Sequence, residues 1–78
     1  MANLNQRLAG VFANVFGLKS IDAKTSVETV EDWDSASHLT LILELEKEFR
    51  TPFTTDEAVE MTSVADIKTV LARKGVGG

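Results

Sequence analysis

The spacing of hydrophobic residues predicts a chain of helices. The first helix is expected at about Asn3–Phe16, the second at about Ser35–Arg50 and the last at about Ser63–Lys74. A short helix or turn is expected near Thr55–Glu60, after Pro52 has stopped the second helix. No stretch alternates as a strand would. The predicted fold class is therefore all-α, a small bundle of three main helices plus one short helix.

Each main helix has one apolar stripe that we expect to face the core. In chain order the stripes are Leu4, Leu8, Val11, Phe12 and Val15; His38, Leu41, Ile42, Leu45 and Phe49; and Val64, Ile67, Val70 and Leu71. Gly17 is expected to end the first helix and Asp34 to cap the second. Ser63 followed by Asp66 resembles a capping box, with Asp in place of the usual Glu.

A long ordered loop is predicted between the first two helices, from Gly17 to Asp34. Its eighteen residues show no sustained period, and loops of this length in small domains are often functional. Isolated apolar side chains are expected to pin it to the bundle. They are Leu18, Ile21, Val27, Val30 and Trp33.

Length and composition limit what the chain can be. Its 78 residues predict a single domain over 1–78, ordered over about 3–74. The absence of cysteine excludes disulfides, thiolate metal sites and a cysteine nucleophile. A net charge of −4 disfavours nucleic acid and anionic membranes as partners. With no visible targeting or membrane-spanning segment, we expect a cytoplasmic monomer that does not bind membranes.

The charge is unevenly distributed along the chain. Residues 28–60 contain ten acidic and two basic residues, a balance of −8, whereas the rest of the chain has a balance of +4. This division indicates that the middle of the chain meets basic partners. The alternative is a solvated acidic face that serves solubility alone.

The second helix has more apolar residues than its core stripe needs. Ala36, Leu39 and Leu43 form a second stripe, here called the ridge, with Ser35 at its N-terminal end and carboxylates beside it. Such a strip is typical of a docking surface, although a wide core stripe could also include Leu39 or Leu43. Ser35 could be only a helix-terminal serine. Its hydroxyl is nevertheless expected to be exposed, where a phosphate would face free helix N–H groups.

The run from Asp34 to Phe49, DSASHLTLILELEKEF, resembles the second helix of acyl carrier proteins. In that family an Asp-Ser-Leu motif opens the helix, and its serine carries 4′-phosphopantetheine. The resemblance extends over nearly the whole chain and is specific from Glu31 to Val64. Chain length, acidity, helix order and the absence of cysteine also fit it.

The resemblance implies a carrier and not an enzyme, with no catalytic or metal-binding residues of its own. A phosphopantetheinyl transferase, using coenzyme A and magnesium, would attach 4′-phosphopantetheine to Ser35, with Asp34 as motif residue and helix cap. The thiol of the arm would hold acyl groups as thioesters, which supplies the thiol the sequence lacks. Acyl-loading and acyl-transferring enzymes with basic patches would then dock on the ridge and the nearby acids. These residues are Ala36, Leu39, Leu43, Glu44, Glu46, Glu48, Asp56, Glu57 and Glu60.

Departures from the family pattern indicate a specialised carrier. Ala36 stands where the family usually has leucine, and Ser37, His38 and Thr40 make the first turns less acidic than in fatty-acid carriers. Trp33 precedes the motif, where small residues are commoner. A specialised lipid, polyketide or aminoacyl pathway is therefore the expectation.

Three other functions are compatible with single features of the sequence. The main alternative is a non-covalent acidic helical interaction domain in which Ser35 is unmodified. A hydrolytic dyad of Ser35 and His38 is disfavoured, because His38 falls on the core stripe and the chain is too small for a pocket. A calcium site formed by Glu31, Asp32 and Asp34 is disfavoured because the run lacks the glycine and ligand spacing of an EF-hand loop.

Overall fold

The computed structural model describes residues 3–76 and contains four α-helices in that range. They are α1 (Leu4–Phe16), α2 (Ser35–Phe49), α3 (Thr55–Glu60) and α4 (Val64–Arg73). The described residues form no strand, only an isolated antiparallel bridge between Ser26 and Ser63. The predicted all-α class, with three main helices and one short one, is confirmed. Within residues 3–76, no helix combines the length and the apolar character needed to cross a membrane.

Side chains and glycine set the helix boundaries. Gly17 ends α1 with a φ of 70°, a left-handed conformation that glycine adopts without a Cβ clash. Arg50 ends α2 with a φ of 51°, two residues before the proline expected to stop it. The capping box predicted at α4 is only half formed. Ser63 accepts a hydrogen bond from the Asp66 N–H, but the shorter Asp66 side chain accepts from the Thr62 hydroxyl instead.

The predicted stripes form the core. All four stripe residues of α4 are buried, as are Leu41, Ile42, Leu45 and Phe49 of α2. His38, the first residue of the predicted α2 stripe, is only half-buried. In α1, Leu8, Val11 and Phe12 are buried, whereas Leu4 and Val15 are only partly covered at the edge. Three aromatic side chains pack together at the core near the start of α2. The ring centroid of Trp33 lies 5.4 Å from that of Phe12 and 5.6 Å from that of Phe16.

The long loop is held by its backbone as well as by its side chains. Val30 and Trp33 are buried and Leu18 and Ile21 are partly buried, as predicted. The prediction for Val27 is wrong, since its side chain is 39% exposed. Its N–H instead donates to the Thr62 carbonyl at 3.0 Å, and the Val64 N–H donates to the Thr25 carbonyl at 2.8 Å. These two bonds fix the loop against the segment between α3 and α4. The predicted ordered range ends too early at 74, because the Val76 N–H donates to the Leu71 carbonyl at 2.8 Å and its side chain packs against the core. Residues 77–78 lie outside the described residues.

Candidate functional site

Ser35 is the first residue of α2 and is exposed. Asp34 caps the helix, and its carboxylate accepts a hydrogen bond from the Ser37 N–H at 2.9 Å. The cap fixes where the helix begins and therefore where the Ser35 hydroxyl lies. It also corrects one expectation, because the Ser37 N–H is already bonded. A phosphate on Ser35 would meet only the other first-turn amides.

The same cap sets the ionisation of Asp34. The hydrogen bonds from Ser37 hold the pKa of the Asp34 carboxyl below its ordinary value, because they stabilise the charged form. The carboxylate is also adjacent to the positive end of the α2 dipole. Asp34 therefore stays ionised to a lower pH than an unperturbed aspartate does.

The ridge on α2 faces solvent. Leu39 is 67% exposed and Leu43 is 57% exposed, and Ala36 is also exposed. The alternative of a core stripe wide enough to include either leucine is therefore excluded. Exposed leucines one turn apart on one helix leave an apolar face uncovered by the rest of the described chain.

His38 joins the loop before α2 to the end of α3. Its Nδ1 accepts a hydrogen bond from Trp33 Nε1 at 2.9 Å, and its Nε2 lies 2.6 Å from the Ala58 carbonyl oxygen. Since a carbonyl only accepts, Nε2 is the protonated nitrogen and Nδ1 the free one. Both ring nitrogens thus have partners other than the Ser35 hydroxyl. This agrees with the half-buried, hydrogen-bonded role expected for His38.

An open groove of about 540 Å³ lies beside Ser35, so the expectation that the chain is too small for a pocket is wrong. It is here called the Ser35 groove. Its walls come from the loop before α2, the first turns of α2 and the segment around the end of α3. The lining residues are Val27, Trp33, Asp34, Ser35, His38, Leu39, Val59 and Thr62. Three of the lining side chains, Val27, Leu39 and Val59, are among the large hydrophobic residues exposed on the surface. The groove therefore places apolar walls beside the Ser35 hydroxyl.

Most of the carboxylates expected to dock partners have partners within the chain. Glu48 accepts from Arg7 Nε at 2.8 Å, and this pair joins α2 to α1. Two further pairs join α3 to α4, and Glu44 and Glu46 have partners near α2 itself. The contacts are Glu57–Lys74 at 2.9 Å, Glu60–Arg73 at 2.5 Å, Glu44–Lys47 at 3.5 Å and the Phe53 N–H to Glu46 at 2.9 Å. The pairs of Glu44, Glu48 and Glu60 are exposed and worth at most about 1 kcal/mol, so a partner's basic groups can displace them. The Glu57 and Lys74 side chains are only 22% and 20% exposed, so their pair is less accessible to a partner.

Two of these pairs shift the ionisation of their members. The hydrogen bond from the Thr54 N–H and the contact with Lys74 lower the pKa of the Glu57 carboxyl. The hydrogen bond to Glu60 raises the pKa of the Arg73 guanidinium. Both shifts favour the charged forms, so the links between α3 and α4 persist over the neutral pH range.

Among residues 28–60, four exposed acids have neither an ion-pair partner nor a hydrogen bond to their carboxylate within the described chain. Asp56 is the only one of them that was predicted as a docking residue. The other three lie in the loop just before α2 and are Glu28, Glu31 and Asp32. The carboxylates whose charge is not offset within the described chain thus lie mainly on the loop side of Ser35.

The site has residues that the sequence patterns did not indicate. Val59 is 69% exposed and lies on α3, which is too short to show a period. Val27 and Thr62 reach the groove through the backbone bond that joins their two segments. No local signal marked Val59 as exposed, because adjacent helix positions can both be buried, as Leu41 and Ile42 are. No protein-family model matches the chain.

Proposed function

We propose that this protein is an acyl carrier, which holds acyl groups as thioesters on a 4′-phosphopantetheine arm attached to Ser35. The observation that carries the proposal is the position of Ser35. Its exposed hydroxyl stands at the start of α2, between an apolar groove and an uncovered apolar ridge. A modifying enzyme needs such a hydroxyl, and a shuttle needs a docking surface beside it.

The residues present fit the arm. In the attachment step the Ser35 oxygen forms a new P–O bond while the pyrophosphate bond of coenzyme A breaks. Adenosine 3′,5′-bisphosphate leaves, and the hydroxyl proton passes to a base of the phosphopantetheinyl transferase. The base must belong to the transferase, because both nitrogens of His38 are engaged elsewhere. When bound, the arm supplies a thiol that forms thioesters, which suits a chain without cysteine.

The other residues of the site hold Ser35 and present it. Asp34 fixes the first turn of α2, and the bond between Trp33 and His38 anchors the loop that leads into it. The ridge offers Leu39 and Leu43 to the apolar part of a partner. A carrier must dissociate from each enzyme after every transfer. An open apolar strip of two leucines suits such fast and weak binding.

Charge directs the partner's approach in this proposal. Basic patches on acyl-loading and acyl-transferring enzymes are attracted to the acids around Ser35, and the encounter is faster at low salt. The acids without intrachain partners in the described range, Glu28, Glu31, Asp32 and Asp56, act without first breaking an ion pair. The paired carboxylates of α2 and α3 contribute after their ion pairs within the chain have been replaced by pairs with the partner's basic groups.

We infer a specialised pathway from the residues around the serine. Ala36 leaves less apolar surface beside Ser35 than the leucine usual in the family, and His38 and Trp33 line the groove beside the serine. A carrier in specialised lipid, polyketide or aminoacyl synthesis, acting in the cytoplasm, accommodates such a change, because its partners differ from those of general fatty-acid synthesis.

The second candidate is a non-covalent interaction domain. It is favoured by the exposure of Leu39, Leu43 and Val59, which would suit a permanent partner without any modification. Incubation with coenzyme A, magnesium and a broad-specificity transferase separates the two. The carrier gains the mass of one phosphopantetheine group in an intact mass spectrum. An interaction domain keeps its mass with every transferase tried.

A further inference from the structure

We propose that a second groove of the molecule binds acidic peptide segments of a partner protein. This groove, here called the lysine cleft, is formed by the start of α1, the loop after α1 and the start of α4. Its volume is about 470 Å³, and it shares no lining residue with the Ser35 groove. The inference goes beyond the proposed function and does not require Ser35 to be modified. It applies to an acyl carrier and to an interaction domain alike.

Two lysines without ion pairs line the lysine cleft. Lys19 comes from the loop and Lys68 from α4. Neither forms an ion pair with an acid of residues 3–76, whereas the basic residues that do form ion pairs in this range all bind carboxylates of α2 or α3. Lys68 is also half-buried, so water shields its charge less from a bound anion than it shields an exposed lysine.

An aspartate in the lysine cleft is engaged by its own loop. Asp22 Oδ1 accepts a hydrogen bond from the Lys24 N–H at 2.8 Å, and the Thr25 hydroxyl lies 3.4 Å from the same oxygen. Two lysines against this one aspartate leave the lining with a formal charge of +1, in a chain whose total is −4. The cleft is thus a basic site on an acidic protein.

Apolar side chains form the bottom of the lysine cleft. Val64 is only 1% exposed, Ile21 and Ala9 are half-buried, and all three belong to the lining. Gln6, which is exposed, adds hydrogen-bond donors to the lining. Its Oε1 accepts from the Asn3 N–H at 3.0 Å, which leaves its two Nε2 hydrogens for another acceptor. A ligand that fits this lining carries acceptor oxygens around a small apolar group.

These features favour a peptide over a free anion. An exposed pair between a lysine and a carboxylate is weak, so a single small anion gains too little to remain in an open cleft. A peptide with acidic side chains on both sides of an apolar one contacts both lysines and the apolar bottom, and loses its translational freedom only once. Residues 28–60, with a balance of −8, repel an acidic partner from the acidic part of the surface and so favour its approach to the cleft.

The separation of the two grooves has a consequence for binding. A segment confined to the lysine cleft does not contact the residues that line the Ser35 groove, because the two linings have no residue in common. An acidic partner can therefore hold the protein while Ser35 remains accessible to a second protein with a basic patch.

The test is an NMR titration of the isotope-labelled, unmodified chain with the acetylated pentapeptide EEVEE. The control peptide QQVQQ has the same length and the same apolar residue but no charge. We expect saturable shifts of the backbone N–H signals of Ser20, Lys68 and their neighbours with EEVEE, and none with QQVQQ. The binding should weaken as the salt concentration rises, because exposed charges are screened.

Two variants and a matched control locate the binding. Lys19→Gln and Lys68→Gln should each weaken the binding of EEVEE about three- to fivefold, because each removes one ion pair with the peptide. Lys24→Gln is the control and should leave binding unchanged. Lys24 is exposed and lies in the same loop, but it does not line the cleft. Circular dichroism checks the fold of each variant, and Lys19→Gln, a change at an exposed side chain, tests the inference alone if Lys68→Gln does not fold.

The outcomes separate the possible occupants of the lysine cleft. Saturable shifts that are reduced in the two lysine variants support the inference. An absence of shifts with EEVEE, equal shifts with QQVQQ or an equal loss in Lys24→Gln overturns it. Equal shifts with acetate at the same carboxylate concentration also overturn it, because the cleft would then bind free anions.

Sedimentation of the chain without peptide tests the remaining occupant, a second copy. We expect a monomer. A dimer that dissociates in Lys19→Gln and Lys68→Gln would overturn the inference, because the cleft would then bind the acidic part of another copy. None of these measurements depends on loading of Ser35, so failure of the proposed function and failure of this inference are observed separately.

Discussion

Trp33 donates a hydrogen bond from Nε1 to Nδ1 of His38, across 2.9 Å and only five positions along the chain. The bond gives the buried indole its polar partner and fixes the imidazole so that Nε2–H points at Ala58 on α3. Three segments that share no regular hydrogen-bond pattern are thereby joined next to Ser35. His38 thus adds a side-chain link between the loop, the start of α2 and the end of α3 to the backbone bonds that hold the loop against the segment after α3.

The geometry of His38 leads to a prediction about its tautomer and its contribution to stability. Nitrogen NMR at neutral pH should show a protonated Nε2 and an unprotonated Nδ1. His38→Ala should lower the free energy of unfolding by about 1–3 kcal/mol, because it leaves the buried Trp33 N–H without a partner. Thr40→Ala, an exposed change in the same helix, is the control and should have little effect. A protonated Nδ1 would contradict the assignment.

The exposure of the ridge predicts a contrast between neighbouring leucines of α2. Leu39→Ala should leave the melting temperature nearly unchanged, since the side chain is 67% exposed. Leu41→Ala should cost about 2–5 kcal/mol, because it opens a cavity in the core. In assays with a partner enzyme the order reverses, and Leu39→Ala raises KM while the protein stays folded. A large loss of stability in Leu39→Ala would place Leu39 in the core and contradict the docking ridge.

The cap at Asp34 predicts a dependence of stability on pH. The pKa of Asp34 is lowered in the native state, so its contribution is complete above the ordinary carboxyl pKa of about 4 and is lost as the pH falls through the lowered value. Asp34→Ala should therefore reduce the melting temperature by about 4–8 °C at pH 7. Asp34→Asn keeps the cap and should match the unmodified sequence at pH 7, with a weaker acid dependence. Equal loss in both variants would show that the charge, not the cap, matters.

The end of α2 predicts a stabilising substitution. Arg50 has a φ of 51° and is the one non-glycine residue with positive φ in the described chain. A left-handed conformation costs a residue with a Cβ about 1–2 kcal/mol, and glycine avoids this cost. Arg50→Gly should raise the melting temperature by a few degrees, whereas Arg50→Ala should not. A lower melting temperature for the glycine variant would show that the side chain of Arg50 has a structural role.

Hydrophobic periodicity predicted the helices whose apolar residues recur at regular spacing along the chain. The stripe of α4 was assigned correctly because Val64, Ile67, Val70 and Leu71 recur at helical spacing over ten residues. The capping box at Ser63 was only half right, because an Asp side chain is one methylene shorter than Glu and binds a nearer hydroxyl. Local sequence patterns thus predict where the helices lie. They predict less reliably which group a single side chain bonds to.

The groove could not be predicted in this way. Val27 lies in a loop and Val59 in a helix of six residues, and neither segment shows a period. They meet because the Val27 N–H bonds to Thr62, a contact between positions far apart in the chain. Arg7 and Glu48 are also far apart, since they pair across 41 positions. The sequence predicted the Glu48 carboxylate to be free for docking, but in the structure it binds Arg7. Long-range pairing, which no local pattern encodes, determined both results.

The most direct test of the central claim is the mass of the protein and of its Ser35-containing peptide after incubation with coenzyme A, magnesium and a phosphopantetheinyl transferase. The account predicts one added phosphopantetheine group, located on Ser35 by tandem mass spectrometry. The addition should be absent in Ser35→Ala and retained in Ser37→Ala, whose serine lies two residues further along the same helix. An unchanged mass with several transferases, or a group found on a residue other than Ser35, would contradict it.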